Sequence, residues 1–120
     1  MYRARTLFTA AALVACALSL AAAVPKTATA QCAHADLCSQ QTCKTLQRDV
    51  HPACDQERSC RKIKASNNGE LLKRLLINQS CLIARQDVAR CFSRSDRGHR
   101  EAIASVQNAI DTCRDKLNPN

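Results

Sequence analysis

The sequence has no tryptophan, one tyrosine and two phenylalanines in 120 residues. Tyr2 and Phe8 fall in an N-terminal leader, so Phe92 is the only aromatic residue after it. Platforms on which bases or sugar rings could stack have almost nothing to be built from. A nucleic-acid partner is therefore not expected, nor is a sugar-stacking lectin site. Glycine is as scarce: Gly69 and Gly98 alone cannot make a glycine-rich phosphate or calcium loop. No Gly-x-Ser-x-Gly elbow occurs, and His34, His51 and His99 sit in no nucleophile or metal motif. Neither a catalytic residue nor a cofactor is expected, and the three histidines are read as surface or helix-end residues. His99 in particular is read as a helix-start residue or a partner for Glu101. No stretch alternates polar and apolar residues over a strand's length, and no internal repeat aligns. Helices are what remains.

The leader has the form of a secretory signal peptide. Arg3 and Arg5 give it a positive start, Leu7 to Val24 is an Ala- and Leu-rich apolar run, and Ala28-Thr29-Ala30 offers a small-residue cleavage site. Two other readings are open. The run could span a membrane, or Leu13-Val14-Ala15-Cys16 could be a lipoprotein box, although the apolar residues continue past Cys16. The expected organisation is residues 1–30 as signal peptide and residues 31–120 as one secreted, extracellular cysteine-rich domain. Losing Arg3, Arg5 and Lys26 reduces 18 basic residues to 15 against 10 acidic ones, so the domain carries a net charge of +5.

What is abundant is cysteine. Nine are present, and setting Cys16 aside leaves Cys32, Cys38, Cys43, Cys54, Cys60, Cys81, Cys91 and Cys113. An even number in a short exported chain reads as four disulfides, and a small aliphatic core needs such supplements. Eight cysteines allow 105 pairings, among which sequence does not choose. Cys32, His34 and Cys38 lie close enough to suggest zinc, but no Cys-x-x-Cys pair supports it and no metal is expected.

The clearest helical pattern is the last one, Arg100 to Leu117. Ile103, Val106, Ile110, Cys113 and Leu117 recur at steps of three and four, on one face. Glu101 falls in its first turn and Arg114 and Lys116 in its last, as the helix dipole favours. Cys113 should anchor this helix to Cys81, Cys91 or an N-terminal cysteine. Earlier, Leu37, Cys43, Leu46 and Val50 suggest a helix ending near His51, with Pro52 opening another over Ala53 to Lys64. Cys54 and Cys60 would then point to different neighbours unless a kink separates them. Ser66-Asn67-Asn68-Gly69 marks a break. After it come Leu71, Leu72, Leu75, Leu76 and Ile77, continued by Cys81, Ala84, Val88 and Cys91, as one helix or as two divided near Asn78-Gln79-Ser80. Ser93 to Gly98 is an Arg-rich loop expected to be exposed and mobile. The expected fold is all-α: a small disulfide-stapled bundle of four or five short helices.

Two basic clusters stand out, Arg58, Arg61, Lys62 and Lys64 around Cys60, and Arg94, Arg97 and Arg100 later. They suit a sulfated glycan, an anionic membrane or an acidic protein, and equally a solvated helix face. Any recognition surface on the last helix should lie opposite its apolar stripe, around Arg97, Arg100 and Arg114. Asn78-Gln79-Ser80 is a glycosylation sequon, and a glycan there would make that point of the helix face solvent.

The words Cys81-Leu82-Ile83-Ala84, Ala89-Arg90-Cys91, Ile103-Ala104-Ser105-Val106-Gln107 and Cys113-Arg114-Asp115-Lys116-Leu117 occur in an order that resembles the stanniocalcins. These are secreted helical glycoprotein hormones. The spacings of Cys81, Cys91 and Cys113 differ from the family's, and the even cysteine count leaves no odd one for its dimer-linking bridge. In the N-terminal half, Cys32, Cys38, Cys43 and Cys54 have a rhythm similar to the cysteine modules of the glial-derived neurotrophic factor receptors, with the first two gaps each one residue short. Both resemblances imply an extracellular protein that binds other proteins. The expected function is a non-catalytic signalling or protein-binding domain, with a toxin, defence peptide or effector acting on membranes or channels through its basic surface as the alternative.

Overall fold

A computed structural model of the chain describes residues 31–94 and 96–119; the expected signal peptide and its cleavage site lie outside the described residues. Three helices lie wholly within them: α1 (Gln40–Cys54), α2 (Asn68–Ala89) and α3 (Arg97–Leu117). No described residue is in a β-strand. The all-α expectation holds, and the count of four or five short helices gives way to three, two of them long at 22 and 21 residues.

Each helix begins at a side chain that accepts a backbone N–H. Ser39 Oγ accepts from Thr42, Asn67 Oδ1 from Glu70, and Asp96 Oδ1 from His99, at 3.0, 3.3 and 2.8 Å. The Asp96 cap moves the start of α3 from the expected Arg100 to Arg97. Glu101 consequently falls beyond the first turn and pairs with Arg97 at 2.5 Å instead. Arg114 and Lys116 do occupy the last turn.

Two expected boundaries are corrected. Pro52 lies inside α1, which runs on to Cys54 rather than ending at His51. The missing N–H of Pro52 costs one hydrogen bond in the last turn. That turn stays helical because Val50, Ala53 and Cys54 pack against Cys81, Val106 and Ile110. The expected helix Ala53 to Lys64 does not form beyond Cys54. Its backbone carbonyls are taken by side chains from the other helices: Ser59 O by Arg74 Nη1 at 2.7 Å, Arg58 O by Asn78 Nδ2 at 2.8 Å, and Arg61 O and Ile63 O by Lys116 Nζ at 2.6 and 2.7 Å. Carbonyls satisfied in this way do not need helical partners. The two options for residues 68–91 resolve to a single helix through Asn78.

All eight cysteines pair: Cys32–Cys43, Cys38–Cys91, Cys54–Cys81 and Cys60–Cys113. Cys54 and Cys60 indeed serve different neighbours, α2 and α3. Cys113 finds Cys60, not Cys81 or Cys91. With both sulfurs of the Cys32-His34-Cys38 triplet committed to disulfides, the zinc alternative loses its ligands. Of the eleven buried hydrophobic residues described, seven are half-cystines, so the core is organised around sulfur rather than one aliphatic centre. It falls into three clusters, each containing a disulfide. Helix α2 packs against both α1 and α3 and is the central element.

The loop after α2 is exposed, and it is also tied down. Asp36 N and Leu37 N donate to Cys91 O at 3.1 and 3.0 Å, and Ser93 gives both its N–H (2.7 Å) and its hydroxyl to the Asp36 carboxylate. These two donors, the hydroxyl first, hold the Asp36 carboxyl below the ordinary aspartate range. A folded-state pKa below the unfolded one gives stability that is complete above the ordinary aspartate pKa and lost as pH falls through the folded value. We expect the Ser93 amide resonance to hold its position on acidification to the ordinary aspartate pKa and to move only below it. In Asp36→Asn that step should vanish; a Ser93 amide that still titrates in this variant would show that another group governs the loop.

Candidate functional site

Helix α2 carries a second apolar stripe besides the one it buries. At about 100° per residue, Leu75, Asn78, Leu82 and Arg85 lie within about 40° of Leu71, and this is the inward side. Leu71 and Asn78 are completely buried, and Leu75 and Leu82 pack on the cluster around Cys54 and Cys81. Leu72, Leu76 and Ile83 lie about 100–140° further round and are 51, 55 and 58% exposed. Five aliphatic residues in seven had suggested one core stripe. Taken by angle, Leu71 and Leu75 face inward, Leu72 and Leu76 lie in solvent, and the half-buried Ile77 belongs to neither stripe.

Ile83, at one end of the exposed stripe, also lines a groove between α2 and α3 of about 400 Å³. Leu82, Ile83 and Ile110 give it an apolar floor, and Gln79, Gln107 and Arg114 line it with polar groups. Arg114 lies 4.0 Å from Asp111 and is exposed, so its charge is available at the groove's edge. Of the three arginines expected to mark a recognition surface on the last helix, Arg114 alone lines this groove; Arg97 and Arg100 sit at the helix's other end.

The basic clusters do not form one field. Arg58 is half-buried, donating from Nη1 to Asn78 Oδ1 at 3.1 Å and from Nε to Cys54 O at 3.3 Å, so it supports the loop rather than the surface. Arg61, Lys62 and Lys64 are exposed, as are Arg94, Arg97 and Arg100. A second groove, of about 630 Å³, runs between residues 55–61 and the outer side of α3. Asp55, Glu57 and Glu101 line it together with Arg58 and Arg61, which makes it mixed in sign rather than a basic trough.

Asn78 is where geometry says most about a single predicted residue. Its side chain is fully buried; Nδ2 donates to Arg58 O and Arg74 O at 2.8 and 3.0 Å, with Cys113 Sγ at 3.7 Å. A glycan on Nδ2 would have to displace those contacts, and no solvent lies beside that nitrogen. His51 is exposed and 3.0 Å from Asp55, and His34 is exposed beside the Asp36–Ser93 junction. His99, third in α3, has its ring centroid 4.9 Å from that of Phe92 and its Nδ1 3.1 Å from Asp96; Glu101 is not its partner.

No group of three His, Cys, Asp or Glu residues that could hold a metal occurs among the described residues. No helix among them is long and apolar enough to cross a membrane. Four disulfides are consistent with an extracellular protein. No protein-family model matches the chain, and neither does any curated protein or solved structure.

Proposed function

We propose that this chain is a secreted, non-catalytic protein-binding domain of the extracellular space, possessing a rigid helical surface for a protein partner. The observation that supports it is the exposed Leu72, Leu76 and Ile83 stripe, whose Ile83 also lines the α2–α3 groove. A chain with so few aliphatic residues leaves three of them in water on its central helix, next to a polar rim. That combination of apolar centre and polar edge is how protein interfaces are built. The partner we infer presents an apolar helix or strand with an acidic residue for Arg114, and the net positive charge of the chain would draw such a partner in. Four disulfides keep the surface formed before binding, which reduces the ordering cost on association. The resemblance to stanniocalcins and to the neurotrophic-factor receptor modules points the same way.

The membrane-directed alternative draws on the same exposed side chains plus the basic clusters, and a single set of measurements separates the two. Labelled, fully oxidised protein should bind receptor-bearing cells saturably and in a salt-tolerant way. Leu76→Asp should abolish that binding while shifting the melting temperature little, because Leu76 already lies in water. Vesicles of anionic lipid should neither bind the protein strongly nor leak. Leakage that disappears at high salt would replace this reading with the membrane one. Competition by heparin, with Leu76→Asp still binding, would replace it with a sulfated-glycan reading.

A further inference from the structure

Where the three helices meet near the first turn of α3, they form a half-open cavity of about 160 Å³. Gln31 closes one side, Gln47 and Val50 come from α1, Arg85 and Val88 from α2, and His99 and Ala102 are among the α3 residues that line it. Arg85 lies on the inward side of α2, seven residues after Asn78 and therefore on the same face. Unlike Asn78, it has no acceptor. The side chain as a whole is half-buried, but its Nε is shielded from solvent and has no hydrogen-bond partner. The half-buried Arg58, in the loop after α1, has its Nε and Nη1 satisfied by Cys54 O and Asn78 Oδ1, so an unpartnered Nε is not the habit of this fold. Burying a cationic donor without an acceptor is costly, and native structures nearly always supply one.

We propose that this cavity binds a small carboxylate, with the Arg85 guanidinium as its anchor. Three features select that class. The guanidinium edge presents Nε–H and a terminal N–H in parallel, which matches the two oxygens of a carboxylate. No acidic side chain lines the cavity, and a monoanion neutralises its one permanent cation without importing excess charge. Val50, Val88 and Ala102 give an apolar wall for a short hydrocarbon tail, which sulfate or phosphate would not use. Gln47 Nε2 donates to Gln31 Oε1 at 2.6 Å, so the Gln31 amide nitrogen keeps its own N–H groups for a ligand oxygen. Burial depresses the Arg85 pKa, the nearby Arg58 charge adds to this, and only Asp55 opposes it; the site lacks negative charge in the same sense as its geometry does.

The test is a titration of the oxidised protein with acetate, butyrate, sulfate and phosphate, each against sodium chloride at matched ionic strength. It is read at the Arg85 Nε–Hε resonance and at the backbone amides of Gln47, Val88 and Ala102. Saturable shifts with the carboxylates, larger affinity for butyrate than acetate, and loss of saturation in Arg85→Gln are the expected results. Ala102→Leu, which fills the cavity and keeps the guanidinium, should also lose saturation, and amides of distant residues report that each variant is folded. No saturable shift beyond chloride, leaving water as the occupant, would overturn the assignment. So would saturation by sulfate or phosphate alone, or carboxylate binding that survives in a folded Ala102→Leu variant.

Discussion

Replacing Cys60 and Cys113 together by alanine is expected to unfold most of the chain at physiological temperature. The two residues are 53 apart in sequence, and closing a loop of that length restricts the unfolded chain by about 4 kcal/mol. For a domain of this size that corresponds to a fall of about 20 °C in melting temperature. The loss is not spread evenly. Cys60 and Cys113 form a cluster with Leu71, against which Ile63, Leu75 and Leu117 pack, and nothing else covalent joins residues 55–67 to α3. Lys116 Nζ would remain on Arg61 O and Ile63 O, a part-buried clamp of two hydrogen bonds that cannot replace the covalent link. By contrast, the 11-residue Cys32–Cys43 loop is worth about 3 kcal/mol on the same reckoning, and its cluster stands apart from the two that hold α2 to α3. Thermal melts of the two double variants check the ordering. Equal losses in both, or a Cys60/Cys113 variant that melts within a few degrees of the parent, would show that the aliphatic contacts alone hold α3.

The helical content, the eight-cysteine staple set and the inward stripe of α3 were legible because each rests on local spacing. Val106, Ile110 and Cys113 are buried where a 3.6-residue period puts them. What spacing did not reveal is decided by groups distant in sequence. Pro52 reads as a helix start until Cys81, Val106 and Ile110 are seen packing on Val50, Ala53 and Cys54 and holding the turn around it. Residues 55–64 read as a helix until Asn78, Arg74 and Lys116 claim their carbonyls. The partner of Cys113 depends on where that loop runs, so it was beyond any local rule. The double character of α2 was available in principle: on a helical wheel Leu72, Leu76 and Ile83 separate from Leu71, Leu75 and Leu82, while Asn78 and Arg85 fall among the latter. One helix or two stayed open at Asn78-Gln79-Ser80 because propensity weighs Asn as a boundary residue. Its partners make it the opposite, a residue that fastens the helix middle to a loop.

Asn78 itself therefore carries the second large expected effect. Asn78→Ala removes the donor to Arg58 O and Arg74 O and the acceptor of Arg58 Nη1 in one step. Leaving buried groups of this kind without partners costs about 2–3 kcal/mol, more than deletion of one exposed hydrogen bond. Asn78→Asp is the sharper variant. It keeps an oxygen for Arg58, so a purely charge-based role would be preserved or strengthened. It has no N–H for the two carbonyls, and it places an anion against them. If the amide works by satisfying loop and helix carbonyls, both variants lose stability to a similar degree, and hydrogen exchange accelerates across residues 57–63 before it does in α1. The same contacts predict that the fully oxidised form carries no glycan at Asn78 when made in a glycosylating host, which intact-mass measurement decides. An Asn78→Asp variant as stable as the parent, or a glycosylated form with all four disulfides and an unchanged melting temperature, would mean that Nδ2 is not committed to those carbonyls and that the middle of α2 can face solvent.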